Sequence, residues 1–364
     1  MRPLRVLVVG AGSMGRAWLA AVAASPAVQL AGIVDLDLVT ARAAAPNVPA
    51  GTDVVKLAAA TGAEAVINVT VPAAHHSVTT AALFAGLPVL GEKPAADTVA
   101  QALSLAAAAE VTGKLFMVSQ SRRWNPQLFR LREMVSRLGA IGTVTTEFFR
   151  APRFGGFRDE MAYPLLVDMA IHPFDSVRFL LGADPVSVYC ESYNPSWSWF
   201  EGDAAATAIF EMADGARYVY TGSWCSPGPE TSWNGSWRVS GANGTAFWDG
   251  ENEPVGPAGE STVTAELSGI SGALRVFVDA LRTGERPMGE IHENVPSLAM
   301  VEAAVQSSRI GAPIRLDDVL DRAYRAALRD EARPEVRAAL ASWRSPTGRG
   351  GKGHIRYVPA DRRF

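Results

Sequence analysis

The sequence predicts an α/β domain with a parallel sheet, followed by an α+β domain with a large, mostly antiparallel open sheet. Three observations carry this. Short apolar runs alternate with helical, alanine-rich patterns up to about residue 120. After Gly142 come alternating strand patterns joined by tight-turn signals such as Asp214-Gly215 and Asn243-Gly244. Helical patterns then return from Gly272. A chain of 364 residues is long for one core. Three segments are expected: 1–120, 121–318, and a helix with a basic tail over 319–364.

Leu4 to Val9 is a continuous apolar run that ends in Gly10-Ala11-Gly12-Ser13-Met14-Gly15 and is followed by a helical pattern from Arg16 to Ala24. This is G-x-G-x-x-G with a strand before it and a helix after it, the context in which the pattern means dinucleotide binding. Gly10 allows the tight turn, Gly12 clears the approach of a pyrophosphate, and Gly15 lets helix and strand pack closely. The phosphates would sit at the positive end of the helix, against Ser13 and Met14. The second strand, Val28 to Val34, ends in Asp35, about 20 residues on, where an acid holds the ribose hydroxyls. A carboxylate there repels the 2′-phosphate of NADP, so NAD is the expected cofactor; Arg42 leaves NADP possible. Asp37 reads as the N-cap of a helix starting near Leu38. This is a Rossmann domain in expectation.

Further strands are expected at Ala65 to Val69, Pro88 to Leu90 and Leu115 to Val118, with helices at His75 to Ala85 and Ala96 to Val111. Thr70 closes one strand where a nicotinamide ring would lie. His75 and His76 begin the next helix, where capping or packing is the simpler reading than catalysis. Gly91-Glu92-Lys93-Pro94 ends another strand and delivers Glu92 and Lys93 to the carboxyl edge of the sheet, where open α/β sheets hold ligands. Pro94 disfavours helical geometry at Lys93.

From Gln120 the pattern changes. Arg122-Arg123-Trp124-Asn125-Pro126 opens a helical pattern reaching Leu138, and Arg123 and Trp124 are candidate substrate contacts. Strands are expected at Thr143 to Arg150, Val186 to Tyr193, Ala204 to Met212, Ala216 to Ser223, Trp237 to Ser240, Thr245 to Trp248 and Thr262 to Leu267. One sheet face must be covered, and subunit pairing is a natural way to do so. In Leu165 to Leu181, helical spacing places Asp168, His172 and Asp175 on one face. Pro173 is tolerated only near a helix start. Either the helix begins around Met169 or it is distorted at His172. Carboxylates one turn away on either side can fix the imidazole tautomer and set its pKa, which favours a functional His172. Among the tryptophans from Trp197 to Trp237, most are expected to pack in the core. Trp199 and Trp233 are the candidates to stack on a sugar ring. Arg150, Arg153 and Arg158 flank Phe154-Gly155-Gly156-Phe157, read either as a solvated loop or as contacts for an anionic substrate.

Composition narrows the function. A net charge of −3 gives no general attraction to nucleic acid or anionic lipid. Two cysteines and scattered histidines make neither a disulfide framework nor a zinc site, so no metal is expected. The first apolar run breaks at Gly10 and reads as a strand rather than a signal peptide, and no apolar run spans a membrane. A cytoplasmic protein is expected. Hydride transfer from a secondary alcohol needs a base for the hydroxyl proton, and an imidazole with a pKa of about 6.5 suits that work. An ammonium such as Lys93 stabilises the developing alkoxide.

With these motifs in place, the chain resembles the glucose–fructose oxidoreductase/inositol dehydrogenase/rhizopine catabolism (Gfo/Idh/MocA) family from Arg5 to about Asp318. The glycine fingerprint with Asp35, Gly91-Glu92-Lys93-Pro94, and Asp168-x-x-x-His172-x-x-Asp175 carry the resemblance by their order and spacing. It implies that Lys93, Asp168 and His172 are catalytic. It implies an NAD(P)-dependent oxidation or reduction of a sugar, inositol or related polyol, and a homodimer or homotetramer. Where the family often has glycine before the residue preceding the histidine, this chain has Ala170. Two rivals follow from the same motifs: a redox-assisted glycosidase that retains NAD, and a non-enzymatic NAD-binding regulator, which would be expected to lose Lys93 or His172.

Overall fold

Strand β1 (Leu4–Val9) is buried on both sides over its last four residues, as a strand covered by helices on each face must be. The computed structural model describes residues 2–257, 259, 261, 263 and 268–343. After β1 the chain alternates through α1 (Ser13–Ala24), β2 (Val28–Val34), α2 (Leu38–Ala44), β3 (Ala50–Gly51), α3 (Val54–Thr61) and β4 (Ala65–Asn68). It continues through α4 (Pro72–Phe84), β5 (Val89–Glu92), α5 (Val99–Thr112) and β6 (Phe116–Ser119). The six strands form one parallel sheet in the order β3-β2-β1-β4-β5-β6. The order reverses between β1 and β4, the switch point at which doubly wound sheets open a crevice at their carboxyl ends. This is the expected Rossmann arrangement. Asp37 caps α2, its carboxylate accepting from Val39 N at 2.9 Å. The two-residue β3 and the helix α3 were not anticipated from sequence.

The second sheet begins after a 3₁₀ turn (Ser121–Trp124) and α6 (Pro126–Val135). Its strands are β7 (Ile141–Phe149), β8 (Pro185–Tyr193), β9 (Ala205–Met212), β10 (Arg217–Ser223), β11 (Ser236–Gly241) and β12 (Gly244–Trp248), with α7 (Ile171–Leu181) between β7 and β8. Helices α8 (Gly269–Thr283) and α9 (Ile291–Ile310) follow, then β13 (Ile314–Arg315), α10 (Leu316–Asp330) and α11 (Pro334–Ser342). The sheet runs β12-β11-β7-β10-β9-β8-β13, antiparallel except where β10 lies parallel to β7. The expected strand Thr262 to Leu267 lies outside the described residues apart from Val263. The helix expected in 319–364 is two helices among the described residues: Pro334 disfavours helix in the residue before it, and α11 restarts with Pro334 in its first turn.

Register explains which face of this sheet is core. Val188, Phe210, Tyr218, Val144, Val239 and Ala246 stand opposite one another across six strands, and all are buried. Phe174 of α7 packs edge-on against Phe210 and Tyr220 at centroid distances of 4.8 and 5.4 Å. The neighbouring row on the other face, Tyr189, Ile209, Val219, Thr145, Arg238 and Phe247, is partly or largely exposed.

The described chain divides into two compact units. The first holds residues 2–121, 268–295 and 321–343, and the second holds 122–257 and 296–320. The chain therefore returns to the first unit through α8, and passes to the second within α9 at Pro296. Among the described residues no helix is long and apolar enough to cross a membrane.

Candidate active site

In the first unit the glycine loop is shaped by contacts that forbid side chains. Gly10 has φ of +108°, and a Cβ there would lie 2.6 Å from the Val69 carbonyl oxygen. A Cβ on Gly15 would lie 2.1 Å from the Gly10 oxygen. Gly12 differs: a Cβ there would meet nothing within 4 Å. Gly12 is the N-cap of α1 and offers no side chain to it, so the first-turn N–H groups, at exposed Ser13 and Met14, remain available to an anion. Asp35, at the end of β2, accepts from Ala11 N at 2.7 Å and from Asp37 N at 2.9 Å. Its carboxylate is thus pinned beside the glycine loop.

Lys93 follows the last residue of β5. Gly91 is dictated by packing, since a Cβ there would lie 2.9 Å from the Phe116 ring. Glu92 is buried and accepts from the Trp18 indole at 2.8 Å and from Lys93 N at 3.2 Å. The Lys93–Pro94 peptide is cis. His75 Nδ1 lies 2.6 Å from the Pro94 oxygen, and its Nε2 lies 3.0 Å from the Thr70 oxygen. This imidazole ties the end of β4 to the residue after the lysine. Burial pushes its pKa down, against the pull of those two carbonyls. His76 contacts Ser104 at 3.1 Å. Thr70 donates its hydroxyl to buried Asn68 at 2.7 Å.

In the second unit the His172 segment follows the first alternative, a helix that begins close to Met169, with an irregular turn just before it. Leu165–Met169 is a π-turn, closed by Ala170 N donating to Leu165 O at 2.9 Å. Helix α7 then starts at Ile171, so Pro173 is its third residue, where the missing N–H does no harm. The distortion thus precedes His172 rather than falling on it. His172 is nearly buried and lines a pocket with Arg122, Met169, Ser176, Trp233 and Asn234. Asp168 is bound by Arg158 Nε at 2.6 Å.

The structure separates residues that the sequence grouped. Asp175 is buried and accepts from Arg123 Nε at 2.9 Å and from the Ser297 hydroxyl at 2.7 Å. Arg123 is 2% exposed, so its guanidinium belongs to the core rather than to a pocket wall. Trp124 is also buried, stacked near Phe129. Trp199 carries the Arg153 guanidinium 4.0 Å above its ring. Trp233 does line the pocket, with Arg150 4.5 Å and Arg122 5.7 Å from its ring centroid. Arg122 was missed. Nothing in the dipeptide Arg122-Arg123 tells the pocket arginine from the core one.

Two family descriptions match along the chain. Residues 4–120 match the oxidoreductase family with NAD-binding Rossmann fold, and residues 129–247 match the GFO/IDH/MocA C-terminal domain. The chain belongs to the Gfo/Idh/MocA family of oxidoreductases. It is 26% identical over 318 residues to the rhizopine catabolism protein MocA of Rhizobium meliloti, covering 84% of this chain and 95% of that protein. It is 26% identical over 343 residues to inositol 2-dehydrogenase 1 of Saccharopolyspora erythraea, covering 86% and 96%. The crystal structure of GenD2 from gentamicin A biosynthesis in complex with NAD superposes with a TM-score of 0.74 at 25% identity, over 86% of this chain and 97% of that one.

The residues of the first unit fit the cofactor of this family. A pyrophosphate needs space at Gly12 and uncapped N–H groups at α1, and both are present. A ribose needs a fixed acceptor, and Asp35 is fixed by two backbone donors while keeping lone pairs to offer.

Proposed function

We propose that this protein is an NAD-dependent dehydrogenase acting on a secondary alcohol of a sugar, inositol or related polyol. The observation that carries the proposal is His172, an imidazole lining a pocket walled by polar and aromatic groups. It stands in a chain whose first unit is built for NAD. Gly10, Gly12, Ser13, Met14 and Gly15 would hold the pyrophosphate, Asp35 the ribose, and Thr70, Glu92 and Lys93 would border the nicotinamide. When bound, the nicotinamide supplies the hydride acceptor for the carbinol carbon. His172 takes the hydroxyl proton as general base. The Lys93 ammonium stabilises the charge that grows on the oxygen. Asp168, itself held by Arg158, sets the electrostatics around His172. Trp233 forms an apolar wall for the ring. The relatives acting on inositol and named for rhizopine catabolism support a polyol substrate.

The same proposal includes self-association through the exposed row of the antiparallel sheet. A spectrophotometric screen of sugars and inositols with NAD and NADP tests the activity. Substrate-dependent NADH formation supports it, and silence across neutral and acidic polyols with folded, NAD-loaded protein counts against it.

A further inference from the structure

Among the described residues Arg122 is a cation with no carboxylate in direct ion-pair contact. Its Nη1 donates to the Trp233 carbonyl and reaches Asn234 Oδ1 at 3.4 Å. Its Nη2 faces the Met169 sulfur at 3.9 Å, and its Nε is buried without an acceptor. All of these partners are neutral. Among the described residues no carboxylate lies within ion-pair distance of it. Other guanidiniums of the same unit are matched: Arg123 by Asp175, Arg150 by Glu230 at 2.6 Å, and Arg158 by Asp168 at 2.6 Å. Burial first, and then the nearby Arg150, push the Arg122 pKa down to about 10, which leaves it charged at neutral pH. A desolvated charge lacking an ionic partner is unfavourable. Such an arrangement makes physical sense when the partner arrives with the ligand.

The pocket gives that partner a place, because Arg122, His172, Trp233 and Asn234 line it together. We infer that the polyol substrate carries a carboxylate, as aldonic and uronic acids do, and that this group enters the pocket, where Arg122 receives it through Nη2. This rests on the dehydrogenase reading and narrows its substrate class. A carboxylate fits better than a phosphate monoester. One charge is uncompensated, while a phosphate brings roughly 1.5 to 2 negative charges at neutral pH. The more distant Asp168 and Glu251 already temper the field at Arg122.

Calorimetric binding to the NAD-loaded protein tests this with D-gluconate, D-glucuronate, D-glucose, myo-inositol and glucose 6-phosphate, each at low and high salt. One of the two acids should bind at least about tenfold more tightly than the neutral compounds, the scale of one charged hydrogen bond. The advantage should shrink as salt rises. It should vanish in Arg122→Gln and survive in part in Arg122→Lys, with NAD affinity kept in both. Equal binding of acids and neutral polyols by the unmodified protein overturns the inference, as does an undiminished advantage in Arg122→Gln or a preference for the phosphate. If Arg122→Gln fails to fold, the unmodified protein and Arg122→Lys still decide. Turnover of a neutral polyol without any preference for acids sinks this inference and leaves the dehydrogenase reading intact. Tight acid binding without NADH formation from any compound does the reverse.

Discussion

Asp35 does two tasks with one carboxylate. It locks the glycine loop through Ala11 N and the turn after β2 through Asp37 N, and in the proposed NAD complex it would set negative charge against an NADP 2′-phosphate. Asp35→Ser should therefore lower the kcat/KM ratio of NAD over NADP by weakening the first and admitting the second. Equal use of both cofactors by the unmodified protein would contradict that role. His172→Asn should cut turnover by about two orders of magnitude, with NAD still bound. Lys93→Met, which keeps the stem, should show a similar loss; near-normal turnover with NAD bound would rule out its assignment. His292 gives a stability test away from the pocket. Burial opposes its charge, but Glu110 at 2.9 Å and Glu290 at 2.7 Å outweigh that and raise its pKa to about 9. A folded pKa above the unfolded value of about 6.5 stabilises fully below that value, and the gain disappears as pH rises through about 9. Thermal melts should show the melting temperature falling by several degrees between those values, and His292→Gln should flatten the dependence. Residue positions in motifs were legible because glycine, proline and charge repeat at fixed offsets. Pairings were not. Asp175 was read with His172 from helical spacing, yet its partner is Arg123, 52 residues earlier, and no local pattern encodes that choice.

Elements were legible where a period persisted. The strands β7 to β12 alternate buried and open residues over five to nine positions, enough for period two to be heard. The two-residue strands β3 and β13 offer no period at all. Helix α5 shows the opposite limit: it is buried almost all round, so composition rather than amphipathicity announced it. Its start depends on Thr98, whose hydroxyl accepts from Gln101 N at 3.2 Å. Thr98→Ala should destabilise the protein by about 1 kcal/mol, read as a lower denaturation midpoint with an unchanged slope. No change in midpoint would mean that the packing around α5 sets its start without the cap. The π-turn before α7 was half-legible. Pro173 marked a boundary, but the five-residue closure of Ala170 on Leu165 has no sequence signature.

At the scale of the whole chain, the two sheets could be read in order, while the return of α8, part of α9 and the last helices to the first unit could not. That return is long-range, and periodicity reports local structure alone. The open sheet face was anticipated, and its register now says what it presents. Tyr189, Ile209 and Phe247 are 42, 45 and 44% exposed, set in one transverse row with Val219 and Thr145. Two such faces from identical chains can pair about a twofold axis, which makes the contact self-complementary and closed. Ile209 stands between Tyr189 and Val219 within that row, so a charge there is desolvated twice in a symmetric pair. We therefore expect sedimentation of the unmodified protein to give a dimer or tetramer, and Ile209→Asp to shift it towards a smaller species. NAD affinity in that variant should stay unchanged, because Ile209 lies in the second unit and the glycine loop in the first. A monomeric unmodified protein at micromolar concentration, or an Ile209→Asp variant that keeps the same assembly, would show that this face is not where the chains meet.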